Sequence, residues 1–411
     1  MSGPLSVEEA LARVLALVTP MGVEEVPLAE AAGRVLAEDV VAARAQPPFA
    51  SSAMDGYAVR AAEAVAGARM RLAGEAAAGR GAGIPLPPGA AIRIFTGAPV
   101  PEGADAILIQ ENARREGDTV VVADAPEAGV FVRPAGGDFA AGFRIAAPCR
   151  LTPQRIALAA AMNAPRLRVR RRPVVALMPT GDELVEPGQA PGPDQIVSSN
   201  GYGLAASVQA AGATPLLCGI ARDTRESLLA ALDAARAADF IVTLGGASVG
   251  DHDLVAEVLE QAGLALDFYK VAMRPGKPLM AGRLDGRVML GLPGNPVSAM
   301  VCGEVFLRPA LDAALGLPAG PRPTVPARLA APVERTGART HYMRARLSVA
   351  GDGLVCEPFA RQDSSLLATL AAANALAIRP PNAPEAAAGA RIDCIPLGPI
   401  AMNSGIFSTG H

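Results

Sequence analysis

The residues of this chain that could do chemistry are carboxylates at the ends of glycine-bearing turns. The stretch TLGGASVGDHD, residues 243–253, follows the apolar run DFIVTL and places Asp251 and Asp253 around His252. Its glycines Gly245, Gly246 and Gly250 let backbone N–H groups approach an anion, and Ser248 adds a hydroxyl donor. A following helix N-terminus favours negative charge there. Asp251 and Asp253 can bind a hard cation such as Mg2+. The same letters also describe a tight turn in which Asp251 caps a helix. This stretch alone fits both readings equally.

Two more loops of the same kind follow apolar runs. PTGDEL (179–184) follows VVALM and offers Gly181, Asp182 and Glu183; LPGNPVSA (292–299) follows VMLG and offers Asn295, with Pro296 at a helix first turn. Asp223 heads Asp-Thr-Arg-Glu, a capping pattern, and it reads equally as cap and as site acid. AMRPGKP (272–278) brings the opposite sign: Arg274 and Lys277, with Lys270 just upstream, on a turn stiffened by Pro275, Gly276 and Pro278. Such a corner suits a tetrahedral oxyanion or a phosphate. Carboxylates and cations together suit metal-assisted phosphate chemistry. Asp55 in SSAMDGYAV (51–59) and Asp138 in RPAGGDFAAG (133–142) read, each alone, as turn acids.

Elements must hold these loops together. Residues 174 to about 315 alternate between buried strands (VVALM, PLLCGI, FIVTL, 268–273, 287–292) and helices (200–211, 224–237, and one from about 252). That alternation predicts a mainly parallel sheet covered by helices, with ligands bound outside the carboxyl ends of its strands. Ser6 and Glu9 form a capping-box pattern ahead of helically spaced Leu11, Val14, Leu15 and Val18, and a second helical stretch is expected at 28–37. LTPQRIALAAAMNAP (151–165) returns to helix. The span from Pro47 to Gly142 is β-rich, with a hairpin signal at EGD (116–118), and the chain after Pro323 is β-rich, with ARLSV and LVCEP joined by AGDG. The expected organisation is a discontinuous helical domain at 1–45 with 143–172, an inserted β-rich domain at 46–142, an α/β domain at 173–320 and a C-terminal β domain at 321–411.

Composition narrows the function. At 411 residues, 51% of them hydrophobic, the chain has core material for two to four domains. A net charge of −3 argues against a nucleic-acid binder, and RLRVRRRP (166–173) reads as a solvated connection. Five scattered cysteines without CxxC spacing suggest neither a disulfide framework nor structural zinc, which suits a reducing cytoplasm. The first residues lack the pattern of a signal peptide, and no apolar run reaches the roughly 18 residues that span a bilayer. Three histidines leave little room for chemistry built on a histidine base.

SAMDGYAV, RIFTGAPVPEGADAI, PTGDELVEPG, GGASVGD, RPGKP, GLPGNPVSA and QDSSLLATLAAANAL occur in this order. Together they resemble the molybdopterin molybdenumtransferase family, which includes MoeA and the gephyrin E domain, over nearly the whole chain. The resemblance implies an elongated homodimer of multidomain subunits, with a central α/β molybdopterin-binding domain and a C-terminal domain like a β-barrel. It implies insertion of molybdenum from molybdate into adenylylated molybdopterin with release of AMP, supported by Mg2+, and contact with other molybdenum cofactor biosynthesis proteins. Carried over residue by residue, the functional positions match Asp55, Asp138, Glu183, Asp223, Asp253, Lys270, Arg274 and Ser364, with Asp223 and Asp253 near the metal. Gly181, Asp182, Gly245, Gly246, Ser248, Gly250, Lys277, Pro278 and Asn295 are expected to bind the nucleotide and pterin. Arg339 and Arg344 of RTHYMR are further oxyanion donors, and a partner subunit can deliver Asp55 and Asp138. The chain departs from the family pattern at Gly137 and Ser198, each standing where an acid is usual. A scaffold of the same fold without turnover, and the related adenylyltransferases, are the competing readings.

Overall fold

A computed structural model of the chain describes residues 3–246, 254–351 and 353–402. The chain divides into two compact units, Met1–Glu24, Gly33–Val35 and Arg170–His411 in one, and Glu25–Ala32 and Leu36–Val169 in the other.

The first unit holds the α/β region. Its six-stranded sheet runs in the order Thr214–Leu217, Val174–Pro179, Phe240–Leu244, Arg287–Leu292, Met280–Leu284, Leu264–Tyr269. The first four strands are parallel, Met280–Leu284 runs antiparallel to them, and Leu264–Tyr269 pairs antiparallel with Met280–Leu284. Side chains alternate across the sheet because successive Cβ atoms point to opposite faces. Val175 and Leu177 join the core under the helices Val7–Ala16, Asn200–Ala210, Pro296–Cys302 and Arg308–Ala314; Ala176 and Met178 join the core under Arg225–Ala234 and Leu254–Gln261. Both faces are therefore covered, and the parallel strands read as unbroken apolar runs. The Ser6 hydroxyl accepts from the Glu9 N–H at 3.1 Å, as the capping pattern predicts.

Five strands of the same unit, Val325–Leu329, Thr340–Ala350, Gly353–Pro358, Ala375–Arg379 and Arg391–Pro396, close into a barrel. Closure comes from Thr340–Ala350 pairing with both Gly353–Pro358 and Ala375–Arg379. Leu329, Met343, Ala345, Leu347, Cys356, Ala377 and Cys394 fill its interior. The hairpin around AGDG forms as its turn residues predict.

The second unit carries a six-stranded sheet that includes Gly56–Val59, Arg69–Ala76 and Ala90–Ile94. The hairpin around EGD pairs Ala113–Glu116 with Thr119–Val122. The helix Pro153–Ala161 shares a separate core with Val26, Ala31, Leu36 and Val169.

Two expectations change. Residues 28–37 form a short 3-10 turn, Leu28–Glu30, and the strand Val35–Leu36, in which Leu36 pairs with Val169. A helix that short is marginal by itself, and a strand partner decides against it. The expected strand 268–273 is broken at Lys270, whose φ is +80°; Leu264–Tyr269 stays in the sheet, while Met273–Arg274 pairs with Thr340–His341 of the barrel. The basic run 166–172 is largely paired, Arg166 with Glu25, Arg168 with Glu38 and Arg171 with Asp239. No helix among the described residues is long and apolar enough to cross a membrane.

Candidate active site

Three strands of the parallel sheet end together, and their loops are stitched by backbone hydrogen bonds. Thr180 N–H donates to Leu244 O at 3.0 Å, Gly245 N–H to Leu292 O at 3.1 Å and Gly181 N–H to Ala221 O at 3.1 Å. Asn200 closes the ring, its Nδ2 donating to Gly294 O at 2.6 Å. Gly245 has φ +107°, and a Cβ there would lie 2.8 Å from the Thr180 carbonyl oxygen, so only glycine lets these loops approach so closely. Above them lies a cavity of about 960 Å3, within the range of small-molecule and cofactor sites.

Glu183 and Asp223 line one wall, Gly245 and Gly246 the floor, and Pro278, Gly294 and Asn295 the other side. Thr180, 4% exposed, adds a buried hydroxyl that meets no hydrogen-bond partner among the described residues. Asp182 is bound to this wall as well, its Oδ1 accepting from Asp223 N–H at 3.1 Å. Partial burial first, then the charges of Asp182 and Glu183, hold the Asp223 carboxyl above the usual carboxylate range, and a cation would relieve that crowding. Among the described residues no group of three or more acidic, histidine or cysteine side chains is assembled for a metal. Ser248, Gly250 and Asp253, with Asp251 and His252, lie outside the described residues.

The cationic turn is anchored beside this cavity by Pro278. Val271 N–H donates to Lys277 O at 2.9 Å, and Gly276 at φ +108° presses on the helix Pro296–Cys302, where an added Cβ would lie 2.5 Å from Cys302 Sγ. Arg274 and Lys277 are exposed at its ends and Lys270 is partly buried. Arg274 is in register with His341 across the short parallel pairing.

A further guanidinium from the barrel lies close enough to Arg274 to feel its charge. Arg344 is fully buried; its Nη2 donates to Asp363 O at 2.9 Å, while Nε and Nη1 have no hydrogen-bond partner among the described residues. Burial, then the charge of Arg274, lowers its pKa to about 10. Its main chain is tied to Gln362, so the segment Gln362–Ser365 lies against it. Ser364 accepts from Asn295 Nδ2 at 3.0 Å and from Val297 N–H at 3.1 Å, and Ser365 lines the cavity. His341 is held neutral, its pKa lowered to about 4 by burial and by Arg274, Arg344, Arg339 and Arg379.

In the second unit, Asp55 and Asp138 come from neighbouring segments, since Ser51–Ser52 pairs with Val132–Arg133. Asp55 Oδ1 accepts from Thr96 N–H and Thr96 Oγ1, each at 2.8 Å, and these bonds keep its pKa below the usual range. Arg93 stands against the Tyr57 and Phe95 rings, 5.1 and 4.8 Å from their centres, and donates to Gly56 O at 3.2 Å. Asp138 is exposed. Sequence reasoning passed over Thr96, Thr180, Asn200 and Arg222; Thr96 and Asn200 stand in RIFTG and SSN, where only the pairing across loops gives them a task.

Family models match in three consecutive parts: the MoeA N-terminal region (domain I and II) at residues 5–163, a probable molybdopterin binding domain at 176–313, and the MoeA C-terminal region (domain IV) at 326–397. The chain is 40% identical over 381 residues to molybdopterin molybdenumtransferase 2 of Mycobacterium tuberculosis, covering 89% of this chain and 93% of that protein. The chain belongs to the molybdopterin molybdenumtransferase family. Another member, from Nostoc sp., is 38% identical over 370 residues, covering 87% of this chain and 85% of the relative. The solved molybdopterin biosynthesis MoeA protein of Pyrococcus horikoshii superposes with a TM-score of 0.83 at 29% identity, covering 97% of this chain and 100% of that one.

Proposed function

We propose that the chain inserts molybdenum from molybdate into adenylylated molybdopterin and releases AMP, within molybdenum cofactor biosynthesis. The observation that carries this reading is the pairing of two unlike features. A glycine-lined cavity stands at the carboxyl ends of parallel strands, and its Ser365 belongs to the segment packed against a buried guanidinium, Arg344, two of whose nitrogens have no hydrogen-bond partner among the described residues. The first suits a nucleotide phosphate, the second a permanent dianion.

In this reading the backbone donors of Gly245, Gly246 and the PTGDEL loop cradle the nucleotide, with Ser248, Gly250 and Asn295 around it. Arg274, Lys277, Arg344 and Ser364 hold the molybdate oxygens, with Lys270 and Arg339 adding positive charge. Molybdate brings no proton at neutral pH, so its site needs fixed donors rather than acceptors. Mg2+ fits the acid wall: Asp223, already crowded by Asp182 and Glu183, would hold it together with Asp253. It would there neutralise phosphate charge as AMP leaves. The active form is a cytoplasmic homodimer, in which Asp55 and Asp138 act on the ligand held by the partner subunit. Exposed Phe49, Met54 and Phe131 near those two acids support an apolar contact with a second chain.

The deciding experiment supplies adenylylated molybdopterin and measures AMP. Release that requires molybdate supports the insertion reading. Release without molybdate, or formation of the adenylylated compound from ATP, overturns it.

A further inference from the structure

The PTGDEL wall of the cavity is held by one side chain from the neighbouring strand end. Arg222 Nη1 donates to Leu184 O at 2.8 Å, Asp182 O at 3.1 Å and Gly181 O at 3.3 Å. A single nitrogen thereby gathers three carbonyls of one loop. Arg222 is itself fixed: its N–H donates to Ser227 Oγ at 2.9 Å, on the helix Arg225–Ala234 that Thr224 caps. The next residue, Asp223, donates its N–H to Asp182, so the loop is held from both sides of the Arg222 Cα.

We infer that Arg222 is a positioning residue for the nucleotide end of the site, a role that rests on the function proposed above. With their carbonyls drawn to one cation, the residues 181–184 keep Gly181 and Glu183 on the cavity wall. Three carboxylates, Asp182, Glu183 and Asp223, crowd this wall, and Arg222 is the cation placed among them. Without it, the loop carries three unpaired carbonyls and uncompensated negative charge at the point where a phosphate must enter. The clamp uses one nitrogen rather than the planar fork, so an ammonium with three N–H donors can replace it, unlike the usual arginine contact.

The test titrates AMP into the full-length chain and two variants by calorimetry, with melting curves for each. Arg222→Met is expected to weaken AMP binding about tenfold or more, the loss of one charge-assisted contact. Arg222→Lys is expected to stay within about threefold of the parent. In turnover, Arg222→Met should raise KM for adenylylated molybdopterin more than it lowers kcat. Should Arg222→Met not fold, Arg222→Gln replaces it with the same expectation. Unchanged AMP affinity in the methionine or glutamine variant overturns the inference, as does a lysine variant equally impaired. A parent chain that does not bind AMP at all instead sinks the proposed function.

Discussion

Replacing Arg344 by methionine should separate stability from function in an unusual direction. The guanidinium is fully buried, two of its nitrogens have no hydrogen-bond partner among the described residues, and its remaining side-chain bond is to Asp363 O. Its pKa is depressed to about 10, so folding disfavours the charged form. The sign follows directly. A base whose folded pKa lies below its unfolded value destabilises the fold at every pH below about 10, where the unfolded chain holds the proton more tightly. Methionine, shorter but apolar and of comparable bulk, removes that penalty and loses one carbonyl bond of about 1–1.5 kcal/mol. Replacing buried charges by apolar groups is often neutral or stabilising by roughly 1–4 kcal/mol, so the net change lies near zero or above it. At about 2–4 °C per kcal/mol, Arg344→Met should melt at the parent temperature or a few degrees higher. Function should move the other way. A charge-assisted contact to molybdate of roughly 1.5–3 kcal/mol corresponds to about ten- to a hundredfold in affinity. The assay is the molybdate concentration for half-maximal insertion, beside the AMP dissociation constant and a thermal melt. Arg274→Ala should show the same split between molybdate and AMP. A melting temperature that drops sharply while molybdate use stays unchanged would show that Arg344 serves the fold, and the oxyanion corner would then lie elsewhere.

Three further outcomes are expected. Asp223→Asn relieves the crowding by Asp182 and Glu183, so the melting temperature at pH 7 should hold or rise slightly while the Mg2+ dependence of turnover is lost; retained Mg2+ titration behaviour would place the metal on other groups. His341 has a folded pKa of about 4, depressed from 6.5, so its contribution is present above about 6.5 and lost as pH falls toward 4. His341→Gln should therefore flatten the fall in stability between those two values, and an unchanged slope in pH-dependent melts would assign that fall to other groups. Mixing Asp55→Ala chains with Glu183→Ala chains should restore part of the activity in heterodimers; no recovery in confirmed mixed dimers would exclude a shared site.

Local pattern was enough for much of this molecule. Unbroken apolar runs at 174–178 and 240–244 named buried parallel strands, because helices on both faces leave no polar side. The Ser6–Glu9 cap, the AGDG and EGD hairpins and the glycine-bearing loops rest on backbone chemistry within a few residues, so their letters suffice. The short segment at 28–37 shows the opposite: a strand partner 133 residues away, Val169 for Leu36, outweighs its local helical tendency. Likewise the break at Lys270 follows from the sheet and the barrel each claiming one half of the segment. The order of motifs disclosed the family, but nothing in PTGDEL announces that its carbonyls turn to Arg222, 38 residues beyond Leu184. Nor does RTHYMR disclose that Arg344 is buried with two nitrogens lacking a hydrogen-bond partner among the described residues, while Arg168 and Arg171 are paired. Whether an arginine is solvated, paired or held bare depends on which distant segments close over it. Burial sets the cost of its charge, and burial is a property of the folded chain alone.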